Sequence, residues 1–166
     1  MDATTQNNPP SETPLPAPEP YAVHTLNAWR PEALLDVKEA FGELTLTVQR
    51  ELIVAACETL RDAGYNFLSD VTCVDWFPSE PRFHVIYHLL SQSRKERVRL
   101  KVRVESLDPV VETITSVWPG ANFYEREIFD LFGVRFGGHP NMRRILMPED
   151  WEGHPLRKDY PVEGYR

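Results

Sequence analysis

The sequence predicts an α+β domain, a mostly antiparallel sheet of about four strands packed with helices and followed by an irregular C-terminal extension. Three observations predict it. Apolar residues recur at helical spacing in several segments, three β-like runs are separated by short polar links, and regular periodicity stops beyond Phe136.

Taken in order, residues 1–20 carry six of the fifteen prolines, three acids, no base and few apolar side chains, so they read as a disordered Pro-rich tail. An α+β domain follows over 21–136, and 137–166 reads as an irregular, partner-binding extension. Leu34, Val37 and Phe41 share helical spacing between Pro31 and Gly42, which predicts a short amphipathic helix. Glu43 to Val48 alternates as a strand, and Ile53, Ala56, Cys57 and Leu60 form one helical stripe ending at Gly64. The runs 67–76, 82–90 and 96–105 are joined by links too short for a crossover, which makes them antiparallel neighbours. In the last run Val98, Leu100, Val102 and Val104 alternate with Arg97, Arg99, Lys101 and Arg103, giving one apolar and one cationic face. That strip suits solvent, an anionic surface or an acidic partner. Pro109 to Trp118 reads as a helix broken by Pro119 and Gly120, and a second helix runs from Asn122 to Phe132, where Gly133 closes it.

This last helix is the most informative segment. Its apolar residues spread over most of the circumference, so it is expected to be buried nearly all round. Arg126, Glu127 and Asp130 share the remaining polar arc, with Arg126 and Asp130 spaced for an ion pair. Asn122 reads as the cap, and Glu125 as a partner for first-turn amides or as a buried anchor for an incoming arginine or backbone. In the extension a short echo, Gly-His-Pro, occurs at 138–140 and at 153–155.

Several function classes recede on composition. The 166 residues hold 18 Lys plus Arg against 25 Asp plus Glu, a net charge of −7 that disfavours nucleic acid as the main partner. Cys57 and Cys73 form no CxxC pair, and no GxGxxG, GxxxxGK[ST], GxSxG or HExxH is present. No apolar run reaches the roughly 18 residues of a membrane span, and the first twenty residues lack a basic start and an apolar stretch, so neither export nor insertion is expected. A stand-alone metal-dependent enzyme using His139, His154 and Asp159 is the rival reading, but these residues and Asp150 fit no familiar metal spacing, and Asp70 and Asp75, unless a bulge intervenes, point to opposite faces of one strand. No residue is assigned a catalytic, cofactor or metal role.

From Glu125 onward the chain resembles a known family. Glu-Arg-Glu-Ile-Phe-Asp-Leu-Phe at 125–132, then His139, Arg143, Ile145 and Leu146, is similar to the signature of the 30 kDa subunit of respiratory complex I, the C subunit of bacterial NADH:quinone oxidoreductases. The likeness continues through 147–161 and, more weakly, upstream at 66–75 and 121–124. It implies a cofactor-free accessory subunit of the peripheral arm of a proton-translocating complex, with FMN and iron–sulfur clusters held by partner subunits. The implied partners are the large 49 kDa-type quinone-site subunit and neighbouring iron–sulfur subunits. The implied location is the cytoplasmic face of the plasma membrane, reached only through the complex. Motif positions implied to orient and dock the extension are Glu125, Arg126, Glu127, Asp130, His139, Arg143, His154, Arg157, Lys158, Asp159 and Tyr160. Equivalent subunits of membrane-bound hydrogenases and other quinone or ferredoxin oxidoreductases share the pattern. The Pro-rich tail has no counterpart in it, and the sequence stops six residues after Tyr160, which implies a shorter reach across the partner.

Overall fold

The computed structural model describes residues 19–164. The expectation for the Pro-rich tail lies outside them except at Glu19 and Pro20, which lead into the first helix; Asn27 donates to Glu19 at 3.0 Å. The chain runs α1 (Tyr21–Trp29), β1 (Leu34–Ala40), β2 (Glu43–Val48), α2 (Ile53–Asp62), β3 (Phe67–Asp75), β4 (Phe83–Ser91), β5 (Glu96–Val104), β6 (Val110–Glu112), α3 (Ala121–Phe132) and β7 (Arg135–Gly137).

The main sheet has five strands in the order β1-β2-β5-β4-β3. Three of its four pairings are antiparallel, as expected, but it has five strands rather than about four and is mixed, because β2 pairs with β5 in parallel. Strand direction explains this. The meander β3-β4-β5 reverses twice, so β5 runs as β3 does, and α2 carries the chain from β2 to β3 without reversing it. Val71, Phe83, Val85, Tyr87, Leu89, Leu100 and Val102 line the inner face, and α1, α2 and α3 pack there, the α2 stripe Ile53, Ala56, Cys57 and Leu60 being fully buried.

Three local expectations change. The segment read as a helix over 31–41 is a 3-10 turn at Pro31–Ala33 followed by β1. Phe41 and Gly42 both take positive φ, 56° and 76°, which makes the two-residue turn of a hairpin with β2, so Gly42 turns a strand rather than ending a helix. Pro109 to Trp118 holds the short strand β6, parallel to β7, and then turns; Val110 and Val111 are β-branched and favour that extended form. Helix α1 is an addition to the expected elements, seated through Ala22, Val23 and Leu26. Both outer strands of the main sheet carry a bulge, between Leu34 and Asp36 in β1 and between Leu68 and Asp70 in β3.

Leu100 sits on the central strand with no exposed surface. Leu100→Ala is expected to cost about 2–5 kcal/mol, read as a lower urea midpoint with an unchanged m-value.

Candidate functional site: an extension folded onto its own helix

Helix α3 does not present a uniformly apolar cylinder. Its buried residues are Ala121, Glu125, Ile128 and Asp130, while Phe123 is 61% exposed. Two of the four buried side chains are carboxylates, and each is buried because another part of the chain hydrogen-bonds to it.

Asp130 organises the extension. Its Oδ2 accepts from the successive amides of Ile145, Leu146 and Met147 at 3.0, 2.7 and 2.8 Å, and its Oδ1 takes Arg144 Nη1 at 2.6 Å. Burial pushes the Asp130 carboxyl up, but the Met147 amide, Arg144 and the other two amides outweigh it and hold the group below its ordinary value. Arg144 then extends the network, donating from Nη2 to the carbonyls of Trp151 and Gly153, each at 2.9 Å. The ion pair expected between Arg126 and Asp130 does not form. Arg126 instead donates to the carbonyls of Arg143 and Arg144 at 3.1 and 3.0 Å, so both arginines of the turn are held by α3.

The end of α3 is closed by the returning chain. The His154 ring meets the Asp130 carbonyl at 2.9 Å and lies edge-on to Phe129. Leu156 N donates to Leu131 O at 3.0 Å, and Arg157 Nε donates to Phe132 O. These are the carbonyls a helix leaves unpaired in its last turn. Gly133 takes φ 75° and caps the helix through Phe129 O, as expected. A side chain there would collide with Arg157 and His154.

At the other end Glu125 binds Thr113 and the amide of Ile114 at 2.8 Å, so it anchors incoming backbone rather than first-turn amides. Asn122 is not the cap; the helix starts one residue earlier, after Gly120, with no side-chain cap bond. Burial pushes the Glu125 carboxyl up to about 7, against the opposing pull of Thr113 and the Ile114 amide. The fully buried His139 ring lies 3.8 Å from it and 3.3 Å from Asn122 O, and burial lowers its affinity for a proton. Both groups lean to their neutral forms, so this contact is not a strong ion pair.

A second pin ties the far end of the extension to the sheet. Asp75 and Arg82 form a buried two-bond pair at 2.9 and 2.8 Å, and Arg82 also binds Asp159 at 2.9 and 2.6 Å. Lys158 contributes its amide, which donates to Asp75 at 2.8 Å. Burial raises the Asp75 carboxyl, while Arg82 and the amides of Lys158 and Phe77 bring it down to about 2. Tyr160 hydroxyl reaches Glu152 O at 3.4 Å.

Of the residues singled out in the sequence, Glu125, Arg126, Asp130, His139, His154, Arg157, Lys158 and Asp159 join this internal framework, whereas the side chains of Glu127 and Arg143 lie exposed. Asp75, Arg82 and Arg144 belong to it and were missed, because each acts through a contact distant in sequence, 83 residues in the case of Asp75 and Lys158. His139 and His154 do not converge; their carbonyl partners, Asn122 and Asp130, stand about 12 Å apart by helix rise. Among the described residues no three His, Cys, Asp or Glu side chains gather as a metal-holding set, and no helix is long and apolar enough to cross a membrane.

Two measurements test this construction. Asp130→Asn leaves Arg144 without its counter-charge and is expected to cost roughly 3 kcal/mol, with faster hydrogen exchange at the amides of Ile145, Leu146 and Met147. Glu125 binds its proton more tightly folded, at about 7 against 4.5, so its contribution is complete below pH 4.5 and is lost as pH rises through 7. Glu125→Gln should remove that slope, and the native chain should lose about 3 kcal/mol relative to the variant over that interval in urea titrations.

Residues 46–166 match the family described as respiratory-chain NADH dehydrogenase, 30 kDa subunit. The C subunit of the NADH-quinone oxidoreductase of Roseiflexus castenholzii is 50% identical over 146 residues, covering 86% of this chain and 84% of that one. Its counterpart in Geobacter sulfurreducens is 51% identical over 134 residues, covering 80% and 83%. The trypsin-resistant fragment (1-134) of Nqo5 superposes with a TM-score of 0.64 at 32% identity, over 71% of this chain and 96% of that fragment. A chain of the membrane-bound sulfane sulfur reductase, an archaeal respiratory membrane complex, gives 0.73 at 27% identity over 84% of each. With α3, strands β3 to β5 and the extension folded onto α3 all within the matched span, this chain belongs to the 30 kDa subunit family of respiratory-chain NADH dehydrogenase.

Proposed function

We propose that the chain is the accessory subunit of the peripheral arm of a proton-translocating NADH:quinone oxidoreductase, and that its extension docks on the large quinone-site subunit beside iron–sulfur subunits. The observation that carries this reading is the division of labour in the extension. Its polar underside is consumed by α3, while Leu146, Trp151 and Leu156 remain 60, 40 and 52% exposed. Apolar side chains held outward on a scaffold of internal hydrogen bonds suit burial by another polypeptide.

In this role the chain performs no chemistry. FMN and iron–sulfur clusters belong to companion subunits, and this chain fixes the arm near the quinone site, where a displacement of about 1 Å matters for electron and proton transfer. Its place is the cytoplasmic face of the plasma membrane, held by the complex. The likeness to a chain of a sulfane sulfur reductase supports a second reading, the same structural part in an oxidoreductase with another electron donor or acceptor.

Extraction in mild detergent followed by affinity capture of the full chain decides between them by its companions. NADH-oxidising and quinone-site subunits support the first reading, and a hydrogenase or sulfur-reducing set supports the second. A chain that migrates alone refutes both. Leu146→Asp with Leu156→Asp, both at exposed positions, should abolish co-purification while leaving the circular dichroism spectrum and melting temperature of the isolated chain unchanged.

A further inference from the structure

The three helices all pack on one side of the main sheet, and its other face is polar. Arg97, Arg99, Lys101 and Arg103 stand in a row on this face of the central strand β5, with Lys38 of β1 beside them through the register Lys38↔Thr45 and Thr45↔Arg99. Asp36, Glu43 and Asp70 are interspersed; Glu43 pairs with Arg99, and Asp36 approaches Arg103 at 3.9 Å. Cations therefore remain in excess locally on a chain whose net charge is −7. His84 and His88 flank the row on β4, opposite Arg103 and Arg99; burial and then Lys101 and Arg103 lower His84, burial and then Arg99 lower His88, so they do not add to the charge.

Two further features show that the face is unfinished. Thr47 Oγ1 and Arg99 Nε are buried here without a hydrogen-bond partner among the described residues. A cavity of about 400 Å³ opens at Arg99, with Glu43, Ser69, Asp70, His88 and Arg97 among its lining residues. Arg99 Nε can only donate, so an occupant that meets it brings an oxygen acceptor. Membrane headgroups and nucleic acid favour unbroken positive fields. Here acids of neighbouring strands engage part of the row, Glu43 at Arg99 and Asp36 near Arg103, and half-buried Ile86 and Leu90 lie opposite Lys101 and Arg97. A cationic row with acids and apolar side chains beside it fits a polypeptide that brings both carboxylates and apolar side chains.

We infer that this face is a second docking surface, taken by an acidic segment of a companion polypeptide whose carboxylates meet Arg97, Lys101 and Arg103. The inference rests on the reading that the chain works inside a multisubunit assembly, and it adds an interface on the side of the sheet away from α3.

Carbodiimide coupling and amine acetylation of the detergent-extracted assembly test it. Lys38 and Lys101 should form amide cross-links to Asp or Glu of a companion, and should acetylate several-fold more slowly than in the isolated full chain. Arg97→Glu with Arg103→Glu, both exposed, should abolish the cross-links. If the chain co-purifies with its companions but the two lysines acetylate at the isolated rate and give no companion cross-link, this docking surface is refuted and the functional reading stands. If it co-purifies with nothing, the functional reading fails first. Equal protection of the isolated chain by phosphatidylglycerol vesicles or by an oligothymidylate at physiological salt would also overturn the assignment to a polypeptide.

Discussion

A carboxylate buried in the last turn of a helix is a liability twice over, because it loses water and faces the negative end of the helix dipole. Asp130 is in that position with no exposed side-chain surface. The structure resolves the conflict by bringing donors to it: three consecutive amides and Arg144 surround the carboxylate, and His154 and Arg157 engage the neighbouring carbonyls. The path from Arg144 to Arg157 follows from those demands. What reads as a tail is the cap of α3, and neither is complete without the other.

That dependence explains how a segment without helix or strand can offer a defined surface. Ordering about thirty residues only on association would set a large entropic penalty against binding. Here the penalty is met inside the chain, by the Asp130 network at one end and the Asp75–Arg82–Asp159 pin at the other. Under the proposed function, the companion meets Leu146, Trp151 and Leu156 already set out on a rigid strap.

Some of this could be read from the sequence, and the pattern of success is physical. Strands β2 to β5 and helix α2 declared themselves because one face of each is buried, which imposes a clean period on the apolar residues. Strand β1 did not, because as an exposed outer strand it has no such period; Leu34, Val37 and Phe41 imitate a helix by spacing alone. On α3 the apolar count suggested burial all round, yet Phe123 faces solvent and Asp130 does not. Composition cannot reveal that a carboxylate will be met by amides fifteen to seventeen residues downstream. The Gly-His-Pro echo acquires a meaning only in space: each histidine bonds a carbonyl of α3, one near either end.

The two bulged outer strands bear on how a protein of this kind meets its neighbours at all. A flat, unpaired strand edge is a template for adding another chain, and repeated addition leads to fibrils. In β1 the irregularity between Leu34 and Asp36 is reinforced by the exposed charges of Asp36, Lys38 and Glu39; in β3 the break falls before Asp70. Sideways polymerisation is thereby discouraged at both borders, and under the proposed function this leaves the faces and the strap, where geometry rather than generic backbone pairing selects the neighbour.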